Sequence, residues 1–72
     1  MNVSVFADPW CEVWLDGTRV ATETPAHFQA PRGDHELRFV NAKWGLDLHQ
    51  RESLGADVGF VVDVKKGTVE RR

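Results

Sequence analysis

The pattern that most constrains this chain is a two-residue alternation of apolar and polar side chains, in short runs interrupted by turn-forming residues. In one run, Cys11, Val13 and Leu15 fall on one face. Glu12 and Trp14 fall on the opposite face of the same run. A period of 2 is typical of half-buried strands, and no window of useful length has the 3.6-residue period of an amphipathic helix. The chain is therefore expected to form β-structure.

Turn-forming residues separate these runs at short intervals. Asp16-Gly17 predicts a two-residue hairpin, because both central positions of such a turn need positive φ, which Gly and Asp tolerate. Pro25 predicts a strand end or an edge strand, since proline cannot donate to a sheet ladder. The segment from Pro31 to Asp34 and the Lys66-Gly67 pair predict two further tight turns.

The runs between these turns predict strands at 3–6, 11–15, 18–21, 26–29, 35–40, 46–51, 59–64 and 68–70. Residues 53–59 show no clear alternation and are predicted to form a loop. Short strands at this spacing, separated by Gly and Pro, are typical of a sandwich or a small barrel. We predict an all-β fold, a small antiparallel β-sandwich of six to eight short strands.

The length of the chain allows one small domain, predicted to span residues 1–72. A chain of this size buries only roughly 60% of the surface that its unfolded form exposes, so a thin margin of stability is expected. The chain starts in a strand-like run and ends at Arg72 without a tail. This favours a module of a larger protein.

Charge and hydropathy argue against two classes of partner. The net charge is −2, and the only adjacent basic pairs, Lys65-Lys66 and Arg71-Arg72, have Asp63 and Glu70 beside them. Nucleic-acid binders usually carry a clustered basic surface, so we predict no nucleic-acid partner. No apolar run approaches the roughly 18 to 20 residues that span a bilayer, so we predict no membrane insertion by this segment.

The cysteine and the histidines carry no recognisable motif for chemistry. Cys11 is the only cysteine, which excludes an internal disulfide, and its place on the inward face suits a small apolar filler. His27, His35 and His49 lack the short paired spacings of zinc sites. His35 is predicted at a strand start beside the Pro31 turn. We predict no metal, no cofactor and no catalytic residue, and hence a protein that is not an enzyme.

The order of the turn motifs resembles that of the PEGA domain, a small bacterial and archaeal β-sandwich module. The matching residues are a proline-led strand ending in Asp-Gly (Pro9 to Gly17), then Thr24-Pro25, then a Pro-x-Gly-x-His turn (Pro31 to His35). The Asn41 to Gly45 segment (NAKWG) falls where the family has an aromatic residue beside a glycine. The resemblance extends over about residues 3 to 70, although the namesake Pro-Glu-Gly-Ala is replaced here by Pro-Trp-Cys.

This resemblance implies a non-catalytic accessory module in an envelope, surface-layer or signalling protein. The tryptophan after Pro9 is similar to variants attached to bacterial Ser/Thr kinases, so a cell-envelope or kinase-associated parent protein is expected. The resemblance also places a turn glycine at Gly33. Arg32-Gly33-Asp34 is therefore interpreted as a turn rather than as an adhesive motif.

The tryptophans are the candidate interaction residues. By alternation, Trp14 points away from Val13 and Leu15, toward solvent or a partner. In one interpretation, Trp10 and Trp44 cap the ends of the core, and Trp14 packs against a cross-strand neighbour such as Arg19 by a cation–π contact. In the other, exposed tryptophans form an interaction surface, because tryptophan is enriched at protein interfaces. The candidate surface consists of Trp14, Trp44 and Arg19.

Two functions follow from these residues. The first is a non-catalytic interaction or spacer module that binds a protein partner or an adjacent domain of the parent chain, with a possible homodimer through an unpaired edge strand. The second is a carbohydrate- or cell-wall-binding module in which Trp14 and Trp44 stack on the sugar rings of a polysaccharide.

Overall fold

The structure is a computed structural model that describes all of residues 1–72. It contains strands and one turn of 3₁₀ helix, η1 (Ala42–Trp44). The strands are β1 (Asn2–Asp8), β2 (Glu12–Leu15), β3 (Thr18–Ala21), β4 (Ala26–Gln29), β5 (Gly33–Asn41), β6 (Leu46–Leu54), β7 (Val58–Asp63) and β8 (Thr68–Arg71). No helix has the length and apolar character needed to cross a membrane.

The strands form two sheets of four, which confirms the all-β prediction. Sheet A has the strand order β4-β1-β7-β8, and sheet B has the order β3-β2-β5-β6. The neighbouring strands are antiparallel except for β1 and β7, which pair in parallel from Val3–Val58 to Asp8–Asp63. The prediction of an antiparallel sandwich is therefore wrong for this one pair. Alternation reports which face of a strand is buried, and it carries no information about the direction of the neighbouring strand.

The core lies between the sheets and follows the predicted alternation. Fourteen buried apolar side chains form one cluster, and Phe39 of β5 meets Phe60 of β7 across the two sheets at a ring-centroid distance of 6.2 Å. Cys11 is fully buried in this cluster, as its predicted inward position requires. Trp10, Trp14 and Trp44 are not part of the cluster.

The turns have the predicted backbone conformations. Asp16 and Gly17 have φ values of 49° and 84°, which confirms the two-residue hairpin with positive φ at both central positions. Gly33 opens β5 with a φ of 129°, a value that L side chains rarely adopt, so the glycine of Arg32-Gly33-Asp34 is required by the turn. Pro25 directly precedes β4, which is an edge strand of sheet A, as predicted.

The connection between β6 and β7 is shorter than the alternation indicated. β6 continues to Leu54, where it pairs with Gly33, and β7 begins at Val58. The predicted loop at 53–59 is therefore wrong at both ends, and only residues 55–57 connect the strands. Pairing with the far end of β5 keeps this part of β6 extended although its own sequence pattern is weak.

Candidate functional site

Trp14 lies on the outer face of sheet B, near the middle of that face. Its neighbour Val13 is fully buried, so the alternation of β2 turns the indole away from the core. β2 lies between β3 and β5, and the register places Arg19 on one side of Trp14 and Arg38 on the other. Arg38 in turn pairs with His49 of β6. These residues (Arg19, Trp14, Arg38 and His49) form one row across all strands of sheet B, which we call the Trp14 row.

Two guanidinium groups lie over the indole of Trp14. The Cζ of Arg19 is 6.0 Å from the ring centroid, which confirms the predicted contact with this cross-strand neighbour. The Cζ of Arg38 is 5.7 Å from the same centroid. Both distances are within the range of cation–π attraction. The second arginine was missed, although the alternation of β5 turns Arg38 outward, because the sequence did not reveal that β2 pairs with β5.

Carboxylates hold these arginines in place. Asp47 accepts hydrogen bonds from Nε and Nη2 of Arg38, both at 2.8 Å, in a bidentate pair. These hydrogen bonds are the main reason that the pKa of Asp47 is lowered and the pKa of Arg38 is raised. On the other side, Glu12 accepts a hydrogen bond from Trp14 Nε1 at 3.2 Å and lies 3.7 Å from Nη1 of Arg19. The row is therefore a connected network of charged groups around one aromatic ring.

The far end of the row is the imidazole of His49. Its Nε2 is 3.2 Å from Asp47, and its Nδ1 is 3.5 Å from Glu36. The side chains of His49 and Glu36 are more than half exposed, at 57% and 51%. Acidic and basic groups thus alternate across a solvated sheet face, with a half-buried tryptophan at its centre.

Trp44 occupies a different part of the molecule. It ends η1 at one end of the sandwich and is 48% exposed. Nζ of Lys65, in the turn between β7 and β8, is 5.5 Å from its ring centroid. The structure therefore does not unite Trp14 and Trp44 in one aromatic platform. The ring of Trp44 lies outside the core cluster, and its 48% exposure disfavours the interpretation of Trp44 as a cap of the core.

The buried side chain of Asn41 fixes the position of this end. Its Nδ2 donates to the Trp10 carbonyl at 2.7 Å, and its Oδ1 accepts from the Trp44 backbone N–H at 3.2 Å. Asn41 is completely buried, and it is one of only two buried polar residues. Sequence analysis missed it, since an asparagine at a strand end is usually interpreted as a surface turn residue.

The other buried polar residue, His35, joins the β2–β3 hairpin to β5. The Asp16 carboxylate lies 2.5 Å from His35 Nδ1, and the Pro31 carbonyl lies 2.7 Å from Nε2. Both partners are acceptors, so the doubly protonated imidazole satisfies both. The hydrogen bond with Asp16 is the main cause of the raised pKa of His35 and, reciprocally, of the lowered pKa of Asp16. His35 lies beside the Pro31 turn as predicted, and its bond to Asp16 was not foreseen.

The remaining residues considered for chemistry are separated from one another. His27 lies on the outer face of sheet A, where its Nδ1 is 3.0 Å from Ser4 Oγ. Cys11 is in the core, and burial, with a smaller contribution from Glu12, raises the pKa of its thiol to about 11. No group of three or more His, Cys, Asp or Glu side chains is arranged to hold a metal ion.

Comparisons with protein-family models, with curated proteins and with solved structures give no match to this chain.

Proposed function

We propose that this domain is a non-catalytic interaction module that binds a protein partner, or a neighbouring domain of its parent chain, through the outer face of sheet B. One observation carries the proposal. A tryptophan with two arginines over its ring lies in the middle of a sheet face whose other residues are mostly charged.

The chemistry of the Trp14 row suits protein recognition. Tryptophan and arginine are the residue types most enriched among those that dominate binding energy at interfaces. Arg38 is already held by two hydrogen bonds, so little conformational entropy remains to be lost when a partner docks against it. The surrounding carboxylates and cations would fix the orientation of a partner and reject wrongly charged surfaces.

The sheet face is a better candidate than a sheet edge. β6 is the longest edge strand, with nine residues, but its inward side chains include Gln50 and Glu52. Arg71 of β8 also donates a hydrogen bond to the Ser53 carbonyl at 3.0 Å. Inward polar groups and occupied backbone groups disfavour the addition of another strand. A homodimer through an edge strand stays a prediction, which sedimentation at two protein concentrations tests.

The likeness to PEGA modules makes a larger bacterial envelope or signalling protein the expected parent chain. This assignment belongs to the proposal, and the order of the turn motifs supports it. The function proposed for sheet B depends on the Trp14 row and holds for any parent protein in which that face is accessible.

The test compares two tryptophan variants on separate surfaces. Three proteins are immobilised: the wild type, Trp14→Ala and the matched control Trp44→Ala. Each is exposed to an extract of the source organism, and the retained proteins are identified by mass spectrometry. We expect a partner retained by the wild type and by Trp44→Ala and lost with Trp14→Ala. Equal retention by all three proteins, or loss with Trp44→Ala alone, would contradict the assignment to sheet B.

The second candidate is a carbohydrate-binding module that uses Trp14 and Trp44. The 48% exposure of Trp44 favours it, since a stacking platform must be open to solvent. The arginines over Trp14 oppose it, because a sugar ring would have to displace a guanidinium to stack on the indole. Retention on insoluble polysaccharide or peptidoglycan that disappears in the Trp14→Ala/Trp44→Ala double variant would support this function.

A further inference from the structure

The outer face of sheet A contains a shallow depression between β1 and the edge strand β4, with a volume of about 320 Å³. The register places Val3 opposite Phe28 at its centre. Val3 is completely buried, so its side chain points into the core and the backbone forms the floor of the depression. Four side chains on the neighbouring cross-strand pairs surround this floor: Asn2, Gln29, Ser4 and His27.

These four side chains are two amides, a hydroxyl and an imidazole, and none bears a carboxylate, ammonium or guanidinium group. A charged ligand would find no counter-charge among them, and an apolar ligand would desolvate four polar groups without replacing their hydrogen bonds. A neutral ligand with several hydroxyl groups fits, because each hydroxyl both donates and accepts hydrogen bonds.

Two of these groups remain available to a ligand. The amide of Gln29 makes no hydrogen bond with another group of the protein, and the bond of His27 to Ser4 uses Nδ1 and leaves Nε2 free. The carboxylate of Asp57 accepts hydrogen bonds from the Asn2 backbone N–H at 2.9 Å and from Asn2 Nδ2 at 3.5 Å, so the Asn2 amide is partly engaged within the protein. The depression thus offers unpaired donors and acceptors above a two-stranded floor.

An exposed aromatic ring lies directly beside the depression. Phe6 is 48% exposed, and its ring meets that of His27 edge to face, with a centroid distance of 6.1 Å and an interplanar angle of 82°. Val61 of β7 is next to Phe6 in the register. An open apolar ring beside neutral polar groups suits the apolar C–H face of a sugar ring.

We propose that the depression and the adjoining Phe6 bind a neutral oligosaccharide. The hydroxyls of one sugar ring bond to Gln29, His27, Ser4 and Asn2, and the next ring packs against Phe6. This site is independent of the function proposed for sheet B, because the two use opposite outer faces of the sandwich. It also differs from the carbohydrate surface built on Trp14 and Trp44.

Amide chemical shifts of ¹⁵N-labelled protein test the proposal. The probes are the neutral hexasaccharides of cellulose, chitin and amylose, each added to about 10 mM, a concentration at which millimolar dissociation constants are measurable. We expect at least one of them to shift amides within residues 2–6 and 26–29. The acidic hexasaccharide of polygalacturonate should leave these amides unmoved.

Variants connect the shifts to the proposed side chains. Gln29→Ala and Phe6→Ala should each raise the dissociation constant by about fivefold or more, as expected for the loss of one hydrogen bond or one ring contact. Lys66→Ala, an exposed change in the turn between β7 and β8, should bind like the wild type. Both variant positions are on the surface, and a dispersed spectrum shows that each variant folds.

Three results would overturn the proposal. The first is no shift with any neutral hexasaccharide, and the second is equal shifts with the acidic one. The third is shifts that map to Trp14 or Trp44, which would assign carbohydrate binding to those tryptophans. The experiment on sheet B uses different residues and a different readout, so either proposal can fail without the other.

Discussion

Replacement of Asn41 by alanine should remove a large fraction of the stability of this domain. The change deletes the hydrogen bonds to the Trp10 carbonyl and the Trp44 N–H, at 2.7 and 3.2 Å, from a residue with no exposed surface. A hydrogen bond contributes about 1 kcal/mol net, and a buried group left without a partner costs about 1–3 kcal/mol. With about 1 kcal/mol for the bond to the Trp44 N–H and about 1–3 kcal/mol for the Trp10 carbonyl left without a partner, we expect a total loss of about 2–4 kcal/mol.

The whole domain has little stability to lose. At roughly 0.05–0.15 kcal/mol per residue, 72 residues correspond to about 4–11 kcal/mol. Urea unfolding followed by tryptophan fluorescence measures the change, and a shift in midpoint at constant slope identifies it as a change in stability. Lys43→Ala, an exposed substitution in the same 3₁₀ turn, is the control and should lie within about 0.5 kcal/mol of the wild type.

Asn41→Asp separates the two hydrogen bonds. The aspartate keeps an oxygen that accepts from the Trp44 N–H, but it loses the amide that donates to the Trp10 carbonyl. The variant should be less stable at neutral pH, where the buried carboxylate is charged, than under acidic conditions, where the protonated acid can donate. If Asn41→Ala unfolds within about 0.5 kcal/mol of the wild type, the reasoning from burial and hydrogen bonding is refuted.

Three further predictions concern other sites. The pKa of His35 is raised, so its bond to Asp16 stabilises the fold fully below about pH 6.5, the reference pKa of histidine. This contribution is lost as the pH rises through the folded-state pKa of His35. Urea midpoints measured across this pH range should show the decline, and His35→Gln should abolish the pH dependence. At about pH 8, a thiol with a pKa of about 11 has a thiolate fraction roughly a hundredfold below that of a thiol with the ordinary pKa of 9.0. Cys11 should therefore react with a disulfide reagent only on unfolding, and rapid labelling of the native protein would contradict its burial. Gly17→Ala forces a side chain onto a φ of 84° and should destabilise by about 1 kcal/mol, whereas Gly55→Ala, with no positive φ, should cost less in the same urea assay.

The sequence predicted the position of every strand because period and turn chemistry are local properties. Consecutive residues carry both signals of the first hairpin, the alternation from Cys11 to Leu15 and the turn at Asp16-Gly17. These signals predict the hairpin without information from the rest of the chain. The same locality explains why the contact of Trp14 with Arg19 was predictable, since the two lie across that hairpin.

Features that depend on distant strands could not be predicted in this way. Arg38 reaches Trp14 only because β5 lies beside β2, and His35 meets Asp16 for the same reason. The depression on sheet A needs the pairing of β1 with β4, which joins Ser4 to His27 over 23 residues of chain. A single sequence indicates which residues face outward, and the pairing of strands decides which of them become neighbours.

The parallel pairing of β1 with β7 has a consequence for the order of folding. All of sheet B lies within residues 12–54, whereas β1, near the N-terminus, pairs with β7, which begins only at Val58. Contacts between such distant segments form slowly, because a long loop must close before any of them can stabilise the chain. Until β7 pairs with β1, one edge of β1 has unpaired backbone groups that strands of other molecules can bind. During synthesis, the risk of aggregation should therefore be greatest after sheet B has emerged and before residue 63 has followed it.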